Sequence, residues 1–464
     1  MQFQLGFYGA AGNVTGSRYC LQANGKNILI DCGLYQEHNL KGRNWEKFSL
    51  HPSKIDAVVL THAHLDHCGL LPKLVRDGFH GKIYCNSATA EIVKIVLQDS
   101  ARIQEEDAEF KRKRHEREKR KSKYPPKPLY TLEDAQATFP LFFIWNQERP
   151  LTIGEGLELE FIEVGHILGA SSVRIRITQG NETRNIVFSG DIGRWDMPIL
   201  RDPSPVGEAD YVVTESTYGD REHGPQANIS SELARIINET RDAGGNIVIP
   251  SFAIERTQEL LYFLSKLLKA DEIPHLQIFL DSPMAIKVSQ VFKHHPHLFD
   301  QDTKNLLRTY RANNITLTRT VGQSKAINHI RGSAIIIAGS GMCTGGRIKH
   351  HLVKNIERPE CTILFVGFQA HNTLGRIILD GAKDVRILGE MYKVRARIEK
   401  LDGFSAHADK HELIRWLESV STTPRRVFVT HGEPEAAQAH AENIRKKKNW
   451  PVTVPEYKQV VTLD

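Results

Sequence analysis

Residues 57–67 read AVVLTHAHLDH: an apolar run that breaks into three imidazoles and a carboxylate, His62, His64, Asp66 and His67. A short β-branched run that stops at Thr61 predicts a strand, and the four polar side chains after it then sit on a loop held by a rigid element. Imidazole nitrogens and carboxylate oxygens at that density are metal ligands in kind, and they suit two ions better than one. The alternative is a chance cluster in a chain with 21 histidines.

Working outward, the runs FQLGFYG (3–9), RYCLQA (18–23) and KNILID (26–31) predict further strands, bounded by Gly, Asn and Asp turns. A helix is predicted from about Ala88 through a basic run, stopped by PPKP at 125–128, with a second start at Thr131, where TLED has the form of a capping box. Strands return as LELEFIEV (157–164), SVRIRIT (172–178) and NIVFSGD (185–191). After about Pro205 the rhythm changes. YVVTES, NIVIPSF, LQIFLDSP, SAIIIAGSG and TILFVGF are short apolar runs, several separated by amphipathic helical patterns such as RTQELLYFLSKLLK. That alternation predicts βαβ units on a mainly parallel sheet, in a domain inserted into another.

The 464 residues allow two or three domains, and 40% apolar with 25% charged residues excludes a peptide hormone, a disulfide miniprotein and a mainly disordered chain. No stretch approaches the roughly 20 apolar residues of a membrane helix, and the N-terminus lacks a signal-peptide layout, so the expectation is a soluble cytoplasmic protein without a membrane partner. Six scattered cysteines without a CxxC pair read as reduced and structural. The formal charge of +6 is concentrated: residues 111–123, KRKRHEREKRKSK, hold nine Lys or Arg and two Glu, and the rest of the chain sums to −1. Such a run is either a solvated face or a sequence-independent attractor of phosphates.

HAHLDH resembles the HxHxDH motif of the metallo-β-lactamase superfamily. The resemblance implies an α/β fold: an αββα sandwich with a dinuclear metal site on one edge. Asp31 in LIDCG then matches the carboxylate that orients the metal loop, His166 in EVGHILGASS the third motif, and Asp191 in FSGDIG the bridging carboxylate. Glu215 in VVTESTYGD, His407 in DGFSAHAD and His431 in FVTHGEPE resemble motifs A, B and C of the β-CASP branch, in which an inserted α/β domain accompanies a nucleic-acid substrate. His at motif C is the pattern of the RNA-processing members.

By that resemblance the metallo-β-lactamase domain spans 1–205 and 395–464, with the β-CASP domain at 206–394. His62, His64 and His166 would hold one Zn²⁺, and Asp66, His67 and His431 the other, bridged by Asp191. Water activated between two Zn²⁺ per chain would attack RNA, His407 would protonate the leaving sugar oxygen, and Glu215 would hold His407 in place. The chain looks closest to short bacterial relatives of the endonuclease subunit of the cleavage and polyadenylation specificity factor. By that resemblance the expectation is a chain that starts at a catalytic-domain strand, without the N-terminal RNA-binding modules of archaeal relatives and without the extra C-terminal domain of ribonuclease J. Single-stranded RNA is the expected partner, and a homodimer is compatible with the sequence. Endonucleolytic and exonucleolytic action are both open at this level.

Several further groups are candidate RNA contacts. Ser340 and Gly341 lie in GSGMCTGGR (339–347), whose G-x-x-x-x-G is followed by Arg347 and Ile348 instead of the Lys and hydroxyl of a phosphate-binding P-loop. ATPase chemistry is therefore not expected, but a glycine-rich turn can still present N–H groups to phosphate. Asn372 and Thr373 in GFQAHNTLGR (367–376), and Arg256 at a predicted helix start, complete the set. Each has a structural alternative as a turn or capping residue. KHHPH at 293–297 reads as exposed surface. Two rival functions are a small-ester or thioester metallohydrolase, with the insert as a lid, and a non-catalytic RNA-binding scaffold.

Overall fold

The computed structural model describes the chain except for residues 119–125, 148, 224–228, 301–302, 304–313, 331, 368, 371 and 402. It contains two compact units, the first made of 1–196, 201–222 and 407–464, the second of 197–200 and 223–406.

The first unit is a pair of seven-stranded sheets. In spatial order the first sheet runs Val460–Leu463, Phe3–Gly9, Arg18–Ala23, Lys26–Ile30, Ala57–Val59, Lys82–Cys85 and Phe142–Ile144. The second runs Val452–Thr453, Arg426–Val429, Tyr211–Thr214, Glu182–Phe188, Ser171–Gln179, Leu157–Glu163 and Leu151–Gly154. Strict alternation explains the register. Leu157 and Leu159 pair with Ile177 and Ile175 on the buried face, while Glu158 and Glu160 pair with Arg176 and Arg174 on the other. Leu5, Phe7 and Tyr19 from one sheet meet Val173, Phe188 and Phe428 from the other in a shared core. Helices cover the outer faces: Trp416, Leu417 and Ile444 pack on Val187, Val212 and Val427. This is the αββα sandwich.

The second unit is built on a six-stranded, wholly parallel sheet in the order Ile315–Leu317, Gln277–Asp281, Ala334–Ala338, Ile247–Pro250, Thr362–Phe365 and Arg397–Lys400. The inner strands Ile247–Pro250, Ala334–Ala338 and Thr362–Phe365 are buried on both faces, so both sets of their alternate residues are mostly apolar. Ile247 and Ile249 face the helices Ile229–Asp242 and Arg256–Lys269, while Val248 and Ile336 face Ile348 and Leu352.

Two elements sit elsewhere than the rhythm of apolar runs suggests. Tyr211–Thr214 lies in the first unit, parallel to Glu182–Phe188 and Arg426–Val429, and Arg397–Lys400 extends the second unit's sheet. Tyr211–Thr214 is buried on both faces and looks the same in either sheet, while Arg397–Lys400 is a polar edge strand without an apolar signature, so local pattern assigns neither. The helix Ser87–Glu118 and the capping box at Thr131 occur as the sequence predicts, the latter closed by Asp134; residues 119–123 of the basic run lie outside the described set. Within KHHPH, His294 and His297 are exposed but His295 is buried. Among the described residues no helix is long and apolar enough to cross a membrane.

Candidate metal centre

The site gathers at the carboxyl ends of strands in the first unit, where side chains can project beyond the hydrogen-bonded ladder. Asp31 follows Lys26–Ile30, the His62–His67 loop follows Ala57–Val59, His166 follows Leu157–Glu163, Asp191 follows Glu182–Phe188, Glu215 follows Tyr211–Thr214, and His431 follows Arg426–Val429.

Asp31 anchors the loop. It takes a left-handed conformation (φ 59°) and accepts from Thr61 N and Thr61 Oγ1, both at 2.8 Å, and from His67 Nδ1 at 2.7 Å. The adjoining backbone is close-packed: Ser17 N donates to Asp66 O at 2.8 Å, and a Cβ on Gly33 would lie 1.6 Å from that same oxygen. Only glycine fits there.

The expected ligands form two groups, and a third set, Asp191, Glu215 and His431, overlaps them. His62, His64, His166 and Asp191 offer atoms all within 4.8 Å of one another, and so do Asp66, His67 and His431. In the first group His62 Nε2 and His166 Nε2 lie 3.1 and 3.3 Å from His64 Nδ1, and 3.4 and 3.6 Å from Asp191 Oδ2. In the second, His67 Nε2 is 3.1 Å from His431 Nε2 and 3.2 Å from Asp191 Oδ1, and His431 Nε2 is 3.6 Å from Asp66 Oδ2. The two oxygens of Asp191 are thus divided between the groups.

The residues fit divalent cations on their own chemistry. Imidazole nitrogens facing one another near 3 Å match the spacing of about 3.3 Å that two nitrogens take around a tetrahedral zinc with bonds near 2.05 Å. Among the described residues Asp191 Oδ1 is buried with no hydrogen bond of good geometry, only the ligand imidazoles His67 and His431 at 3.2 and 3.5 Å, which is expensive for a carboxylate oxygen unless a cation is its partner. The far nitrogens are held as ligand imidazoles require. His62 Nδ1 contacts Thr61 Oγ1 at 3.0 Å, His67 Nδ1 contacts Asp31, and His431 Nδ1 contacts Thr217 Oγ1 at 3.1 Å.

The charges are strongly perturbed. Burial pushes His62 down to about 3 and His64 to about 4, and lowers His166 as well, so these three are neutral near pH 7. Burial also acts against charge on His67 and His431, but Asp191 with Asp31, and Asp191 with Asp66, prevail and raise both. Asp66 and Asp191 are held below the ordinary carboxylate range by these imidazoles, against the effect of burial.

Beside the two groups stands a second hydrogen-bonded pair. Glu215 is buried, and its carboxylate accepts from Ile192 N and Thr217 Oγ1, each at 2.5 Å. His407 Nδ1 lies 3.2 Å from Glu215 Oε2, and the His407 ring is 4.5 Å from that of His166. Burial disfavours a charged His407, but Glu215, aided by Asp191 and Asp66, raises it to about 9. The sequence assigns no positioning role to Thr61 or Thr217. Their signal is adjacency, Thr61 just before His62 and Thr217 two residues after Glu215, but a hydroxyl's partner is not readable from spacing.

The candidate RNA contacts all lie in the second unit. The glycine-rich loop and the 367–376 segment come together there: Gln369 Nε2 donates to Gly341 O at 3.0 Å and Gly375 N to Met342 O at 3.1 Å. Ser340 Oγ accepts from Gly345 N at 3.2 Å, within its own turn. Thr373 caps the helix Leu374–Leu379, and Asn372 precedes it in a left-handed conformation. Arg256 is buried, ion-paired with Glu259 and set over the Phe404 ring. Arg347 is committed elsewhere: it donates to Asp281 Oδ1 at 2.6 Å and to the carbonyls of Thr318 and Arg319 at 3.1 Å.

Comparison with known proteins places this geometry in context. Residues 12–222 match the metallo-beta-lactamase superfamily, 257–378 the Beta-Casp domain, and 391–455 the Zn-dependent metallo-hydrolase RNA specificity domain. The chain is 37% identical over 437 residues to a protein of Thermus thermophilus named Ribonuclease TTHA0252, covering 92% of this chain and 93% of that one. It is 30% identical to the Transcription termination factor FttA of Methanosarcina mazei, over 95% of this chain and 68% of the other. An RNase J-like protein of Methanocaldococcus jannaschii is 27% identical over 97% of both chains. A crystal structure of a protein of unknown function from Enterococcus faecalis shares the fold with a TM-score of 0.58, at 13% identity and full coverage of both chains.

Proposed function

Because the chain belongs to the β-CASP branch of the metallo-β-lactamase superfamily, we propose that it is a metal-dependent ribonuclease, hydrolysing phosphodiester bonds of single-stranded RNA in the cytoplasm during RNA processing or decay. The observation that carries the reading is the division of the Asp191 oxygens between two groups of buried ligands, 3.4 and 3.6 Å from His62 and His166 on one side and 3.2 Å from His67 on the other.

His62, His64, His166 and Asp191 are the residues to hold one Zn²⁺, and Asp66, His67, His431 and Asp191 the residues to hold a second. A bound pair of such cations supplies a nucleophile at neutral pH and neutralises charge on the attacking and departing oxygens. The protein's own part is positioning and proton transfer. Asp31, Thr61 and Thr217 fix the ring orientation of the ligands. Glu215 accepts from His407 Nδ1, which leaves Nε2 as the atom that gives its proton to the departing sugar oxygen as the P–O bond breaks. A metallo-β-lactamase domain interrupted by a β-CASP domain, and a homodimer, belong to the same proposal.

The test is incubation of purified protein with 5′-labelled RNA, and separately with a chromogenic ester, with and without chelator. Chelator-sensitive RNA cleavage without ester turnover supports the reading, and the product lengths give the mode of attack. Ester turnover alone would replace it with a small-molecule hydrolase.

A further inference from the structure

The long helix Ser87–Glu118 is packed into the first unit only as far as Ala108; beyond that its residues are exposed except for the half-buried His115. Chain that returns beside it is tied down. Leu129 N donates to Gln104 at 3.1 Å, Tyr130 Oη to Ser100 at 2.7 Å, and Arg76 Nη1 to Leu129 O at 2.7 Å. Between the helix and residues 126–129 runs a groove of about 700 Å³ whose other edge is Trp45. That edge is also fixed, since the Asn44 side chain makes two hydrogen bonds to the Tyr35 backbone, at 2.8 and 2.9 Å.

The lining combines exposed aromatics with cations. Phe110 is 67% exposed and Trp45 38%. Lys111, Arg114 and Lys127 line the same groove, together with the acids Asp107 and Glu118. Glu118 accepts from Arg114 Nε at 3.0 Å, so the local balance favours anions. The chain's charge excess begins here as well, with nine Lys or Arg in 111–123. An aromatic pair exposed among cations is a poor seat for an apolar protein surface. It suits a strand of alternating flat bases and phosphates, because every base has a face to stack and every linkage a charge to neutralise.

We infer that this groove is a second RNA-binding site, separate from the metal centre, that holds single-stranded RNA by stacking on Trp45 and Phe110 and by contact of Lys111 and Lys127 with phosphates. The inference rests on the ribonuclease reading for its substrate class, but binding is measurable without cleavage. Its ligand is recognised without regard to sequence, and it favours long RNA over short.

The experiment uses the full chain, with poly(U) affinity measured in chelator and cleavage of a short oligoribonucleotide measured with metal. Phe110→Ala, at an exposed position, should weaken poly(U) binding roughly 5- to 100-fold, the scale of one base–aromatic stack. Lys111→Gln with Lys127→Gln should lower the salt slope by about 1.4. Short-oligonucleotide cleavage should stay at the wild-type rate in both, and photocrosslinks from 4-thiouridine RNA should map to Trp45 or Phe110. Unchanged affinity and salt slope in both variants would overturn the inference, as would loss of self-association in Phe110→Ala with RNA affinity intact, which assigns the groove to a second copy of the chain. If the wild type cleaves no RNA, the ribonuclease reading fails, and the chelated binding measurement still tests the groove.

Discussion

Asp31 accepts a hydrogen bond from His67 Nδ1 at 2.7 Å, which turns His67 Nε2 toward Asp191 Oδ1 at 3.2 Å. The same carboxylate takes both the N–H and the hydroxyl of Thr61. One buried side chain therefore sets the path of the ligand loop and the tautomer of a ligand on it. Asp31→Ala should lower metal affinity about 10- to 100-fold, read by competition with a chromogenic chelator. Affinity equal to wild type would show that the loop holds its shape without the anchor.

His407 touches Glu215 and lies tilted against the His166 ring but belongs to neither ligand group. His407→Ala should keep metal content near that of wild type while RNA cleavage falls roughly 10²- to 10⁴-fold. Parallel loss of metal and activity would make it a ligand instead.

Thr217 joins the two parts of the site, donating to Glu215 and accepting from His431 Nδ1. Thr217→Val should reduce both metal retention and turnover, and Thr217→Ser should restore both. A valine variant with full activity would remove the threonine from the positioning network.

Much of this site was legible because its parts are chemically loud. HAHLDH, the isolated His166, Asp191 and His431, and the acidic Glu215 stand at the ends of readable apolar runs, His407 stands in its own motif DGFSAHAD, and the structure brings them together. What stayed hidden depends on partners far apart in the chain. Thr217 is an ordinary residue until its hydroxyl meets His431, and nothing in the sequence beside Arg347 names Asp281 as its partner. Tyr211–Thr214 reads as any buried parallel strand, and only pairing assigns it to the first unit.

Asp281 is the buried hub of the second unit. It accepts from Ser324 at 2.5 Å, Arg347 at 2.6 Å and His351 at 2.7 Å. Burial raises its pKa, but these three bonds outweigh burial and lower it. A carboxyl with a depressed folded pKa contributes stability above its unfolded value of about 3.9, and that contribution is lost as pH falls through the folded value. Asp281→Ala should destabilise the protein by about 3–5 kcal/mol at pH 7, because it strands the Arg347 guanidinium and removes the acceptor of Ser324 and of the buried His351. The loss relative to wild type should shrink in denaturant titrations at progressively lower pH. A pH-independent difference would mean that the carboxylate's charge contributes nothing.

Binding of metal should release protons, because the carboxylates around His67 and His431 raise both imidazoles in the metal-free site. Affinity should then fall as pH is lowered, and calorimetric heats in buffers of different ionisation enthalpy should report net proton release. Zero release would contradict the charge state assigned to these two ligands.

The most direct test of the account is a metal titration of the stripped protein, following bound zinc and cleavage of labelled RNA together. Two ions per chain are predicted, with full cleavage only after the second binds, and Asp191→Ala should abolish that second step. Full activity at one ion per chain, or undiminished cleavage in Asp191→Ala, would contradict it.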